Sequence, residues 1–488
     1  MANALMTRTV FMPAAFWMTS GVTAIALGFW VARSGITGTT AFVAVMLAFI
    51  AALVVTVRLE YARSHDALSV LIVAAAFFTI AFVAGGLSAW LNPTATHPSS
   101  FDRDDVLVAT FLACLAWVLF SVGYLTDLLG TVRALVGTPR RLAPNYPAAG
   151  VAALLATGWL SRLVLYRQDR YFHVTEANTA RDGATWFLDT FSRLPLLCTA
   201  LVLIQATQRR DHHARRARPL AALLLLGELA WALPTGSRTR LVALVALVVI
   251  VRYYAARKLP SLIGATLAIA VIVFVVFPLG AAYRAHDYRA SVGAALGDSV
   301  SEVVQSGRED SFAGGSTTLA RFSDAAALAR VIHEGRGRMN FSYTDTLILS
   351  AQGFVPRAIY PAKRDPGIGN DFGRAYGIIA STNHSTSIAI TQPGEIYLGG
   401  GLLGLILGMP LLGALYRGFN DVFEGRRDDP GLLAVYALVL PSLAFGLETS
   451  IAVGFVGAIK LALVLLLISG FTFRIIDLRG RAKTVPLL

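Results

Sequence analysis

Arg238 and Arg240 stand two residues apart, directly after the helix-breaking turn Thr235-Gly236-Ser237 and at the head of an apolar run. Backbone N–H groups left open at a helix start favour an anion. Two guanidinium forks beside them can grip phosphate oxygens through charge-assisted, bidentate hydrogen bonds. The same pair could also rest on lipid headgroups, so the spacing defines an anion-binding element without naming its ligand. A second chemical set lies further along: His384 falls in a polar turn, and Glu395 opens the next apolar run. An imidazole can act as a general base near neutral pH, and a carboxylate can orient it or replace it. A carboxylate at a helix start can equally be a dipole-stabilised cap.

Between these sets the apolar pattern stops, from about 284 to 390, and a stretch rich in Arg, Asp, Ser, Gly and Pro takes its place, beginning at Arg284. Within it ARFSDAAALARVIHEG (320–335) puts Phe322, Ala326, Ala329 and Ile332 on one face at helical spacing, which predicts a helix packed on the rest of the chain. VPRAIYPAK (355–363) carries two prolines, which exclude a regular helix and favour an extended path. Arg357, Lys363 and Arg364 stud this path, and glycines at 367, 369 and 373 predict tight turns beside it.

The elements that must position these groups are membrane helices. Of the 488 residues 56% are hydrophobic and 15% charged, against about 25% charged in ordinary soluble domains. Apolar runs near the ~20 residues that cross a bilayer recur along the chain. About twelve are legible, at roughly 10–32, 40–57, 67–91, 106–125, 147–166, 186–207, 219–234, 239–255, 260–283, 394–416, 431–449 and 452–476. The first is longer than a signal-peptide core and is expected to begin the membrane domain. The expected fold class is therefore an all-α polytopic membrane protein of about 12 transmembrane helices. It divides into an N-terminal membrane region (1–283), one large loop (284–390) and a C-terminal membrane region (391–488).

Basic residues set the expected orientation. With the N-terminus in the cytoplasm, alternate connections carry Arg58 and Arg63, Arg133, Arg140 and Arg141, the run RRDHHARRAR (209–218), Arg252, Arg257 and Lys258, and Arg417, Arg426 and Arg427. This is the positive-inside pattern, from which long loops are exempt. Both termini are then cytoplasmic, and the 284–390 loop and the GSRTR turn are extracytoplasmic. The net charge of +13 reads as topology and contact with anionic lipid, and nucleic acid is not an expected partner. Cys114 and Cys198 both fall inside predicted spans and read as packing residues. No CxxC, HExxH, Walker A or dinucleotide fingerprint is present, so no metal and no cofactor are expected.

Charges also occur within the apolar runs: Arg162, Arg193, Glu228, Glu395, Glu448 and Lys460. Each costs roughly 2.5–3.5 kcal/mol at a helix centre, so such residues face a partner or a wet cavity. Glu448 and Lys460 could form a pair. Most of the set falls in the outer half of its spans, which predicts a positively biased cavity opening outward.

Four features in this order, a GSR turn opening a membrane helix, the RFSDAAALARVI helix, the PRAIYPAK segment and an E-x-Y-x-x-G element (Glu395, Tyr397, Gly400), resemble the O-antigen polymerase and oligosaccharide repeat-unit polymerase group, relatives of the O-antigen ligases. The resemblance covers about 235–405. It implies a GT-C-like glycosyltransferase of the cytoplasmic membrane, independent of metal, acting on a polyprenyl-diphosphate-linked oligosaccharide donor and acceptor on the outer side. A flippase and a chain-length regulator would be partners. Arg238 and Arg357 would stabilise the leaving diphosphate, with Arg240, Arg284, Lys363, Arg364, Arg162 and Arg193 binding substrate and Glu395 or His384 accepting the hydroxyl proton. Transfer to another acceptor, as in the ligases, and a transporter or flippase for a glycolipid stand as alternatives.

Overall fold

The computed structural model describes residues 38–91, 101–127, 130, 148–168, 183–208, 212–233, 238–256, 298, 301, 324–355, 359–360, 362–384, 386–424 and 426–482. Every regular element among them is helical. In chain order they are α1 (Gly38–Ser64), α2 (Val70–Leu91), α3 (Arg103–Leu125), α4 (Ala148–Arg167), α5 (Gly183–Phe191), α6 (Leu194–Gln208), α7 (His212–Ala232), α8 (Arg238–Ala256), α9 (Asp324–Glu334), α10 (Tyr343–Phe354), α11 (Gly369–Ala375), α12 (Gln392–Phe423), α13 (Pro430–Gly446) and α14 (Phe455–Ala482).

Among the described residues seven segments are long and apolar enough to cross a membrane: α1, α2, α3, α4, Phe187–Gln208, α12 and the stretch Phe455–Thr472 of α14. The apolar helix α13 is shorter, and α7 and α8 coincide with the expected runs at 219–234 and 239–255. The runs expected at 10–32 and 260–283 lie outside the described residues.

The bundle is held by intimate helix crossings. Cβ atoms added at Gly123 or Gly413 would collide with the carbonyls of Pro410 and Phe120, so α3 and α12 cross backbone against backbone. Small residues at such crossings are how membrane helices gain van der Waals contact where lipid supplies no hydrophobic drive. Aromatic side chains, among them Phe78, Trp117, Phe120 and Tyr416, fill the core around this crossing.

Successive helices run between two polar ends of the bundle. At one end Arg63 meets Glu424, and Asp66 meets Arg427 and the Tyr254 hydroxyl. The opposite end gathers the starts of α3, α8 and α12, the end of α13 and the helices α9 to α11. There His333 Nδ1 of α9 lies 2.8 Å from Asp105 Oδ2 of α3.

α9 is buried almost all round from Asp324 to Val331. Ala325, Ala326, Leu328 and Ala329 join the main core, while Ala327 and Val331 join a smaller cluster with Leu349, Phe372, Tyr376 and Leu398. The single apolar face read from the sequence is therefore too narrow a description, and Phe322 of that face lies outside the described residues. The glycines also differ from expectation. Gly367 does sit in a turn, its N–H donating to Asp365 Oδ1 at 2.8 Å. Gly369 and Gly373 lie within α11, where Ser387, Ile388 and Ile379 crowd the space a Cβ would need.

Candidate functional site

Arg162 leaves α4 near its C-terminal end and is 3% exposed. Its Nη2 donates to Glu228 Oε2 of α7 at 2.7 Å, and its Nε donates to the Ser192 carbonyl at 2.9 Å. The guanidinium packs against both Trp159 and Trp231, 4.8 and 5.4 Å from ring centres that are 5.7 Å apart. Its Nη1 is buried with no hydrogen-bond partner among the described residues.

Beside this group opens a cavity of about 150 Å³. Arg162, Arg193 and Arg240 all line it, with Asp189, Glu228, Trp231 and, from α13, Pro441, Ser442 and Phe445. Three guanidinium groups thus face two carboxylates, Arg193 standing 3.9 Å from Asp189. The structure brings together three arginines that the sequence placed on separate helices; of the other intramembrane charges expected around one cavity, Glu228 lines it and Glu395, Glu448 and Lys460 do not.

The helix that lines the cavity ends in a turn that holds the second group. Thr391 and Gln392 donate their N–H groups to the Glu448 and Leu447 carbonyls, both at 3.0 Å, and Gln392 Nε2 reaches the Gly446 carbonyl, also at 3.0 Å. One turn on, fully buried Glu395 accepts the Ile451 N–H on Oε2 at 2.7 Å. Its Oε1 has no hydrogen-bond partner among the described residues, and the Thr346 hydroxyl of α10 lies beside the carboxyl. Thr391, which caps α12 by accepting the Gly394 N–H at 3.1 Å, holds φ at 61°. A β-branched residue there is strained, by of order 1–3 kcal/mol, and persists only where its surroundings over-determine it.

Asp324, the first residue of α9, lies within reach of the charge of Glu448. Burial raises both above the ordinary carboxylate range, and for Asp324 the like charge of Glu448 adds to the shift. The sequence marked Glu448 as a partner for Lys460 and gave Asp324 no role; its signal was an acidic residue inside an otherwise apolar helical stretch.

The other expected site residues are scattered. Lys363 Nζ donates to the Val355 carbonyl at 2.7 Å and to the Gln352 carbonyl at 3.4 Å, closing the C-terminal end of α10. Arg364 Nη1 donates to Asp345 Oδ1 at 2.7 Å. Together with the Ser342 hydrogen bonds, this holds Asp345 below the usual carboxylate range. Both basic groups therefore serve the two ends of one helix. His384 is exposed, in a turn fixed by Asn370 and Asn383, and is not brought to the enclosed Glu395. Arg240 is in the cavity and Arg238 opens α8, but the Arg238 side chain, Arg284 and Arg357 lie outside the described residues.

Helical spans around an arginine-lined cavity and an enclosed carboxylate define the class: a polytopic, helical membrane protein with a polar site near one end of its bundle. Comparison with protein-family models, with curated proteins and with solved structures returns no match.

Proposed function

We propose that the chain is a membrane glycosyltransferase that lengthens polyprenyl-diphosphate-linked oligosaccharides at the outer face of the cytoplasmic membrane. One observation carries this reading: Arg162, Arg193 and Arg240 converge on a single cavity whose wall, α13, runs directly into the turn that holds Glu395. An anion site and a candidate proton acceptor are then linked through one helix and the turn that follows it. The bundle end opposite to them carries Arg58, Arg63, Arg252, Arg417, Arg426 and Arg427, which by the positive-inside rule supports a cytoplasmic side for those residues and an outer side for the cavity.

The chemistry is a displacement at an anomeric carbon. A sugar hydroxyl of the acceptor attacks it, the bond to the diphosphate oxygen breaks, and the leaving oxygen takes up negative charge. Fixed guanidinium groups in a site shielded from water stabilise that charge where it forms. Glu395 takes the hydroxyl proton through Oε1, while Oε2 stays anchored to the Ile451 N–H. Glu395 is enclosed, with the Thr346 hydroxyl of α10 beside its carboxyl.

A second reading, a flippase for the same class of glycolipid, rests on α12, which is broken at Gly401 (φ 60°, ψ −147°). Discontinuous membrane helices commonly form transport sites.

Binding is the first test. Purified protein in nanodiscs is titrated with a polyprenyl diphosphate and, for comparison, the matching polyprenol. Tight binding of the diphosphate alone, weakened about tenfold (~1.4 kcal/mol) by Arg193→Ala or Arg240→Ala, is the expected result. Equal binding of both lipids would overturn the anion assignment.

A further inference from the structure

We propose that α10 is immersed in the bilayer, with Leu347, Ile348 and Phe354 against lipid acyl chains. The inference concerns the placement of this helix and stands whether or not the chain transfers glycans. At 12 residues α10 is too short to cross a membrane, since ~20 are needed. Yet it packs alongside the interior of a spanning helix. A Cβ at Gly399 would come within 3.0 Å of the Tyr343 N, and one at Gly408 within 3.4 Å of the Tyr343 hydroxyl. α12 is broken at Gly401, and Ile396 before the break packs against Gly404 and Gly408 after it, so Tyr343 of α10 touches both limbs. At its other end Gly353 abuts Val456 near the start of α14.

The two faces of α10 differ sharply. Thr346, Leu349 and Gly353 are buried, whereas Leu347, Ile348 and Phe354 are 53%, 41% and 46% exposed. Ile359, Tyr360, Leu403 and Leu407 of α12 and Val453 before α14 are exposed as well. An uncovered surface of this kind calls for a partner, and the seat of α10 against two spanning helices, α12 and α14, selects lipid.

The ends of α10 are also finished as lipid requires, where no water is at hand for open backbone groups. Ser342 and Asp345 form a reciprocal capping box at the start. Lys363 covers the last carbonyls, and Arg364 neutralises Asp345. These basic groups and Tyr360 follow the helix in a short segment suited to the headgroup level, where aromatic and cationic side chains anchor membrane elements. One residue then separates two environments: Leu347 faces the bilayer and its neighbour Thr346 touches the enclosed Glu395.

The test uses full-length protein in vesicles of phosphatidylcholine and phosphatidylglycerol. Single cysteines replace Leu347, Phe354 or Ile359, and Asp371→Cys on α11 reports a water-exposed position. Each carries a nitroxide, and collisions with oxygen and with a water-soluble nickel chelate are compared. The oxygen-to-nickel ratio should be several-fold higher at 347 and 354 than at 371. Nickel access at 347 and 354 equal to that at 371 would overturn the placement. So would dipolar broadening between labels on two molecules, which would make a second copy the occupant. Ile359→Cys, at a position 75% exposed, keeps the test decisive if a change within α10 impairs folding.

Discussion

Glu395 Oε2 accepts the Ile451 N–H at 2.7 Å, across 56 residues of sequence. This bond ties the first turn of α12 to the chain between α13 and α14, and the hydrogen bonds of Thr391 and Gln392 to the Glu448 and Leu447 carbonyls run parallel to it. The carboxylate therefore has a structural oxygen and an open one, and the two can be separated by mutation.

Glu395→Gln keeps an acceptor for Ile451 and should leave thermal stability close to that of the parent protein while lowering glycan transfer by about 10²–10⁴-fold, the usual contribution of a general base. Glu395→Leu leaves the Ile451 N–H buried and unsatisfied, and should cost a further ~1–3 kcal/mol of stability. Melting curves in detergent and single-turnover assays measure the two effects apart. Full activity in a folded Glu395→Gln protein would remove this residue from proton transfer.

Arg162 and Glu228 make a buried ion pair beside two touching indole rings. Removal of one partner strands the other charge, so Arg162→Ala should destabilise by about 3–5 kcal/mol. The double change Arg162→Met with Glu228→Leu should recover most of that loss and still bind polyprenyl diphosphate poorly. A double-mutant cycle of unfolding free energies checks the coupling; additive single effects would contradict it.

Asp324 and Glu448 should shape the pH dependence of stability. Burial raises both in the folded protein, so the folded state holds protons that the unfolded chain releases above about pH 4. Stability is then greatest at acid pH and falls as pH rises from the unfolded range towards the raised folded values. Asp324→Asn should flatten this fall and stabilise the protein at neutral pH, as read from melting temperatures across a pH series. An unchanged pH profile would refute the pairing.

At the α3–α12 crossing Gly413 has the Phe120 carbonyl where a Cβ would be. Gly413→Val should prevent recovery of monodisperse protein by gel filtration, whereas Gly418→Ala, with open space around it, should be tolerated.

Much of the helical frame was legible because apolar run length alone records it. α12, for example, begins two residues from the expected start at 394. The arginine cavity was partly legible too: an intramembrane charge such as Arg162 demands a partner, and Glu228 was already in view. Pair identity was not. Glu448 and Asp324 sense one another's charge because α9 folds back into the core, 124 residues distant in sequence, which no local pattern encodes. α10 escaped notice for a related reason. Its 12 residues are too few to register as a span, and its capping lysine and arginine, 363 and 364, resemble free cations until the carbonyls and the carboxylate they serve are seen.

The central claim is most directly tested by reconstitution. Purified protein in proteoliposomes is supplied with a polyprenyl-diphosphate-linked oligosaccharide, without nucleotide sugar, and the lipid-linked products are sized by gel and mass spectrometry. The account predicts a ladder of longer lipid-linked glycans, with free polyprenyl diphosphate released in step, and its loss in Glu395→Gln and Arg240→Ala. Oligosaccharide that stays at its starting length, in protein that demonstrably binds it, would contradict the assignment.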